Sequence, residues 1–98
     1  MDVELIVGSL LIDLHLPTAA SLKEKRSVVK SVLQRLRNEF NVSTAEVGNQ
    51  DLWQSAQLGV ACAASDARYA RQQLDAVVEW IYTNRPDVVV SGIQIEIL

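Results

Sequence analysis

The feature that most constrains the fold is the point where the hydrophobic period changes. Over residues 3–16 (VELIVGSLLIDLHL), Leu10, Ile12, Leu14 and Leu16 share one face while Leu11, Asp13 and His15 share the other. That is the period-2 alternation of a strand. Its first half is apolar on both faces, with Leu5 and Val7 against Ile6, which suits a central strand. Pro17 ends it, because proline cannot donate to a ladder. After Ser21 the period becomes helical. Leu22, Val29, Leu33, Leu36 and Phe40 fall on one stripe. Ser21 and Glu24 form a capping-box pattern, and Asn41, tolerant of the left-handed conformation, is the expected stop.

The same alternation then repeats. Residues 42–48 (VSTAEVG) read as a second strand, 49–56 (NQDLWQSA) as a polar connection with one aromatic, and 57–64 (QLGVACAA) as a third strand. Ser65 or Asp66 caps a second helix over 67–84, with Ala70, Leu74, Val77, Val78 and Ile81 inward and Asn84, Arg85 and Pro86 closing it. Residues 88–98 (VVVSGIQIEIL) form the last strand. The order β-α-β-β-α-β predicts an α+β, ferredoxin-like arrangement over residues 1–98, a length suited to one domain. Right-handed crossovers place both helices on one face of a four-stranded antiparallel sheet.

The other sheet face is then open. With Ile6, Leu10, Ile12 and Leu14 inward on the first strand, and Val89, Ile93, Ile95 and Ile97 inward on the last, the outward set includes Leu5, Val7, Leu11, Val88 and Val90. A contiguous apolar patch of this kind marks an interface, and a two-fold homodimer is the economical expectation.

Several classes of function lack their residues. No apolar run approaches the roughly 20 residues of a membrane-spanning helix. The start MDVELIVGSL carries acids where a secretory signal needs a basic stretch, so a cytoplasmic protein is expected. Cys62 is the single cysteine, which excludes an internal disulfide and a paired-cysteine metal site; a small buried hydrophobe is its simplest role. The loop Leu16-Pro17-Thr18-Ala19-Ala20 has neither the glycines nor the arginine of a phosphate cradle. The third strand has no aromatic of the kind that RNA-recognition modules stack on bases. Asp13 and His15 can be drawn as an acid–base or metal-binding pair, but a catalytic metal wants three protein ligands and no third one can be placed. No cofactor, metal or catalytic residue is expected, and the chain reads as non-enzymatic.

Two features point to binding instead. Between residues 21 and 38, six basic residues stand against Glu24 alone, while the rest of the chain holds three basic and eleven acidic residues. Lys23, Arg26, Lys30 and Arg37 fall on one helical stripe, and with Lys25 they form a candidate surface for RNA phosphates. The plainer alternative is a solvated helix face whose long stems cover the core edge. The second feature is Gln50-Asp51-Leu52-Trp53-Gln54. Trp53 either plugs the end of the sheet or meets a partner, with Gln50 and Gln54 placed to hydrogen-bond it. Trp80, within the second helix, reads as core edge.

Ser21-Leu22-Lys23-Glu24-Lys25-Arg26, Asn41-Val42-Ser43 with Ala45-Glu46, and Gln50-Asp51-Leu52-Trp53-Gln54 with Leu58-Gly59, in that order, resemble the YlxP-like family of small bacterial proteins. The likeness covers nearly the whole chain. It implies a ferredoxin-like fold, no established catalytic residues and an unknown function. Family genes often neighbour genes for translation initiation and ribosome maturation. The resemblance therefore implies ribosomal RNA or a ribosome-associated protein as the partner.

Overall fold

The computed structural model describes residues 3–98, so Met1 and Asp2, part of the acidic start, lie outside the described residues. The elements are β1 (Ile6–His15), α1 (Leu22–Glu39), β2 (Ser43–Gly48), β3 (Ser55–Ala64), α2 (Ala67–Asn84) and β4 (Val89–Ile97). They form one antiparallel sheet in the order β2-β3-β1-β4. This is the expected β-α-β-β-α-β arrangement, with β1 and β3 central.

The period-2 reading of β1 holds. Leu10, Ile12, Leu14 and Leu16 are buried beneath the helices. Opposite them, β3 buries Ala56, Leu58, Val60 and Cys62. The α2 stripe of Ala70, Leu74, Val77, Val78 and Ile81 is buried as read. Gly8 permits its close approach, since a Cβ there would stand 3.0 Å from Leu74 Cδ1 and 3.2 Å from Cys62 Sγ. Cys62 is a free, buried cysteine.

Local signals explain the helix ends. Ser21 Oγ accepts from Glu24 N at 3.1 Å, while Glu24 Oε2 reaches back to Ala20 N at 2.6 Å. Asp66 rather than Ser65 caps α2, accepting from Tyr69 N at 2.7 Å. The end of α1 differs from expectation. Phe40 is the C-cap in extended backbone, and the left-handed residue is Asn49 (φ 60°), in the β2–β3 loop, rather than Asn41.

Two corrections concern which residues face inward. The buried line of α1 runs through Lys25, Val29, Val32 and Leu36, while Leu22 and Leu33 are only half-buried. On β4, a bulge at Ser91 shifts the pairing so that Asp13 faces Gly92 but Leu14 faces Val90. The phase before the bulge is thereby reversed. Val88 and Val90 point into the core, and Val89 faces out beside His15. Of the predicted outward patch, Leu5 and Val7 are exposed and Leu11 is half-buried. Val88 and Val90 drop out of it because one extra residue flips every later side chain.

The link from α2 into β4 is clasped by charge. Arg85 donates to both Asp87 carboxylate oxygens at 3.0 and 2.7 Å, and to Ser31 Oγ on α1 at 2.7 Å. The Arg85 hydrogen bond holds the Asp87 carboxyl below its ordinary value of 3.8. Its contribution is therefore full above that value and is lost as the pH falls through the lowered one. In urea unfolding, the stability gap between the wild type and Asp87→Asn is expected to be widest near neutral pH and to close in acid. Leu74→Ala, which empties a fully buried site, is expected to cost about 2–5 kcal/mol with an unchanged denaturant slope.

Candidate functional site

The six cations of residues 21–38 do not form one surface. Lys25 is fully buried. Its Nζ lies 2.5 Å from Glu46 Oε2 and donates to Asn49 O at 2.9 Å and to Gln50 O at 3.2 Å. Two hydrogen bonds to loop carbonyls and one ionic contact to the Glu46 carboxylate thus engage the buried charge. Glu46 sits across from Leu58 on the inward phase of β2, which aims its carboxylate at α1. Lys25 is thus withdrawn from any phosphate-binding surface. The signal was present in the spacing: Lys25 lies four residues before Val29 and seven before Val32, on the buried line itself.

The other cations point elsewhere. Lys23, Arg26 and Lys30 are exposed on the flank away from the core, and none forms an ion pair among the described residues. Arg37, on the same flank, is turned onto β2: Nη1 donates to Thr44 Oγ1 at 2.9 Å and Nη2 to Gln34 Oε1 at 3.1 Å. Arg35 lies on the opposite flank, its guanidinium 5.4 Å from the centre of the Trp80 ring. Trp80 is half-buried against the core, as a core-edge residue should be.

The β2–β3 loop, residues 49–54, is held on the first turns of α1. Lys25 binds two of its carbonyls, and Asn49 takes the left-handed conformation that turns the chain. Gln50 Nε2 donates to Glu46 O at 3.0 Å and Gln54 Nε2 to Ala19 O at 3.2 Å. Both glutamines are thus used in fixing the loop. The backbone carbonyl of Gln54 also accepts from Leu16 N at 2.9 Å. Between these anchors Asp51, Leu52 and Trp53 are exposed, Trp53 by 52%. Trp53 therefore does not plug the sheet; a fixed loop presents it to solvent.

Asp13 and His15 both lie on the open face, each tied to β3 or its approach. Asp13 Oδ1 accepts from Gln57 Nε2 at 2.9 Å, and His15 Nδ1 is 2.9 Å from Gln54 O, a hydrogen bond when that nitrogen is protonated. The same face holds a shallow concavity of about 420 Å³, floored by small residues such as Ser9, Gly59 and Ala61 and rimmed by Leu11 and Val47. No cluster of three or more His, Cys, Asp or Glu side chains arranged to hold a metal occurs among the described residues.

The fold defines a small ferredoxin-like α+β protein, with Lys23, Arg26 and Lys30 exposed on α1 and Trp53 exposed on the β2–β3 loop. Residues 7–95 match the family model described as "Protein of unknown function (DUF503)", and the chain belongs to that family. It is 44% identical over 63 residues, 64% of this chain and 68% of the relative, to the "Uncharacterized protein YlxP" of Bacillus subtilis (strain 168). Neither description names an enzymatic activity. A solved structure, the "De novo designed protein Foldit4", matches 97% of both chains with a TM-score of 0.52 at 13% identity, a likeness of fold alone. No helix among the described residues is long and apolar enough to cross a membrane.

Removing Lys25 leaves the Glu46 carboxylate and two loop carbonyls without their donor. Lys25→Ala is expected to destabilise the protein by about 3–5 kcal/mol in urea unfolding. Lys25→Met combined with Glu46→Gln is expected to recover part of the loss, but not all of it, because Asn49 O and Gln50 O stay unpaired.

Proposed function

We propose that this protein is a non-enzymatic, cytoplasmic accessory factor that binds RNA through α1, in keeping with association with the ribosome. The observation that carries the reading is the row Lys23, Arg26 and Lys30: exposed cations with no acidic partner among the described residues, in a chain whose net charge is −3. Seven residues of helix span about 10 Å, enough to follow roughly three phosphates along one strand. Acids elsewhere repel a polyanion, so contact is confined to this flank. Trp53 supplies a second element. A half-exposed indole on a loop fixed to the same helix is a stacking surface for an unpaired base. Arg37, already bonded to Thr44 and Gln34, contributes field more than contact.

The test is binding of a structured ribosomal RNA fragment followed by fluorescence anisotropy across a salt series. Wild-type affinity is expected to fall with salt at a log–log slope of about −2 to −3, the value for about three neutralised phosphates. Replacing Lys23, Arg26 and Lys30 together by Glu should abolish binding at low salt while leaving the urea midpoint nearly unchanged. Trp53→Ala should weaken binding by roughly 5- to 150-fold, the equivalent of one lost base stack, with the salt slope kept. Failure of the wild type to bind RNA at low salt would sink the proposal.

A further inference from the structure

The two edges of the sheet are finished differently. On β2, Thr44 and Glu46 turn their backbone groups away from β3. Side chains meet the two carbonyls: Arg37 Nη1 donates to Thr44 O at 3.4 Å, and Gln50 Nε2 to Glu46 O at 3.0 Å. A bulge between Glu46 and Gly48 then breaks the regular edge. Side-chain caps and bulges are the devices that keep an edge from pairing with another chain.

The β4 edge has none of these over its second half. Val7 and Leu98 exchange both backbone hydrogen bonds, at 3.1 and 2.8 Å, which fixes the phase of the β1–β4 ladder. Glu96 and Gln94 therefore bond back to β1, and Ile93, Ile95 and Ile97 turn their N–H and C=O groups to the free edge. No described side chain caps these groups, the stretch holds no proline or lysine, and the bulge at Ser91 precedes it. The side chains of the three isoleucines lie on the helix side of the sheet, and Ile93 remains 51% exposed there.

We infer that this edge pairs with the β4 edge of a second copy of the chain, antiparallel across a two-fold axis, to continue the sheet to eight strands. One register fits. With Ile95 opposite its own counterpart, Ile93 meets Ile97 on the helix side, and Gln94 stands opposite Glu96 on the open side. The Gln94 amide then donates to the Glu96 carboxylate, twice per dimer by symmetry. A shift of two residues one way sets Glu96 against Glu96. The opposite shift leaves Ile97 facing Ser91 in the bulge. Because the β2 edge is capped, edge-to-edge growth stops at two copies.

Sedimentation equilibrium of the full chain, from low micromolar to millimolar concentration, tests this. The wild type is expected to move from monomer to dimer with concentration. Gln94→Glu sets two like-charge pairs across the axis and should weaken the dimer by roughly 2- to 30-fold; Gln94→Lys should tighten it by a similar factor. Gln94 is exposed, so neither change disturbs the fold. Ile93→Lys, which charges the edge, should leave a monomer with native far-UV circular dichroism. A wild-type mass of one chain at every concentration would overturn the inference. So would a dimer indifferent to all three changes but dissolved by Leu11→Asp, which would move the interface to the open face.

Discussion

The arrangement of the candidate site rests on one buried ammonium. Lys25 occupies a position on α1 that a leucine or valine would ordinarily fill, and charge there is costly unless fully compensated. Compensation comes from three directions: a carboxylate on β2 and two carbonyls of the loop that follows it. The lysine thereby joins a helix, a strand and a loop. Leucine at this position would pack against the core but leave Asn49 O and Gln50 O without their donor, so that the loop would be held only by its other anchors, among them Gln54 on Ala19. Trp53 is carried on the loop that this contact helps to hold.

Charge is divided along similar lines. Of the six cations between residues 21 and 38, one is structural, one stacks on Trp80, one is laid onto β2, and Lys23, Arg26 and Lys30 remain without ionic partners among the described residues. The raw excess of positive charge in the sequence therefore overstates the surface available to a polyanion. It also places that surface more narrowly: the outer flank of α1, beginning at the end where the β2–β3 loop is fixed.

Element order and the phase of β1 are legible because they depend on period alone. The α2 stripe and the inward residues of β1 follow from spacing, and the structure places them as read. What escaped was set by single residues. The bulge at Ser91 adds one residue to β4, which no alternation rule signals, and it carries Val88 and Val90 inward. The charge of Lys25 groups it with the exposed cations, while its spacing to Val29 and Val32 places it inside. The sequence leaves Gln50 and Gln54 free to bond a partner or backbone; their side chains bond the backbone, at Glu46 O and Ala19 O. For Lys25 and Gln54 the partner lies far along the chain, at Glu46 and Ala19, and such a partner leaves no local mark; the Gln50 bond to Glu46 is local, but alternation does not register it.

The caps on the β2 edge have a consequence for the order in which the chain is made. Arg37 lies seven residues before Thr44, and Gln50 four residues after Glu46. Loops this short close within tens of nanoseconds, far faster than a ribosome adds residues. The donor that shields Thr44 is already synthesised when β2 appears, and the second shield follows within a fraction of a second. This edge is therefore covered by its own neighbours in sequence before β3 is complete, and nascent chains on one messenger are kept from joining through it.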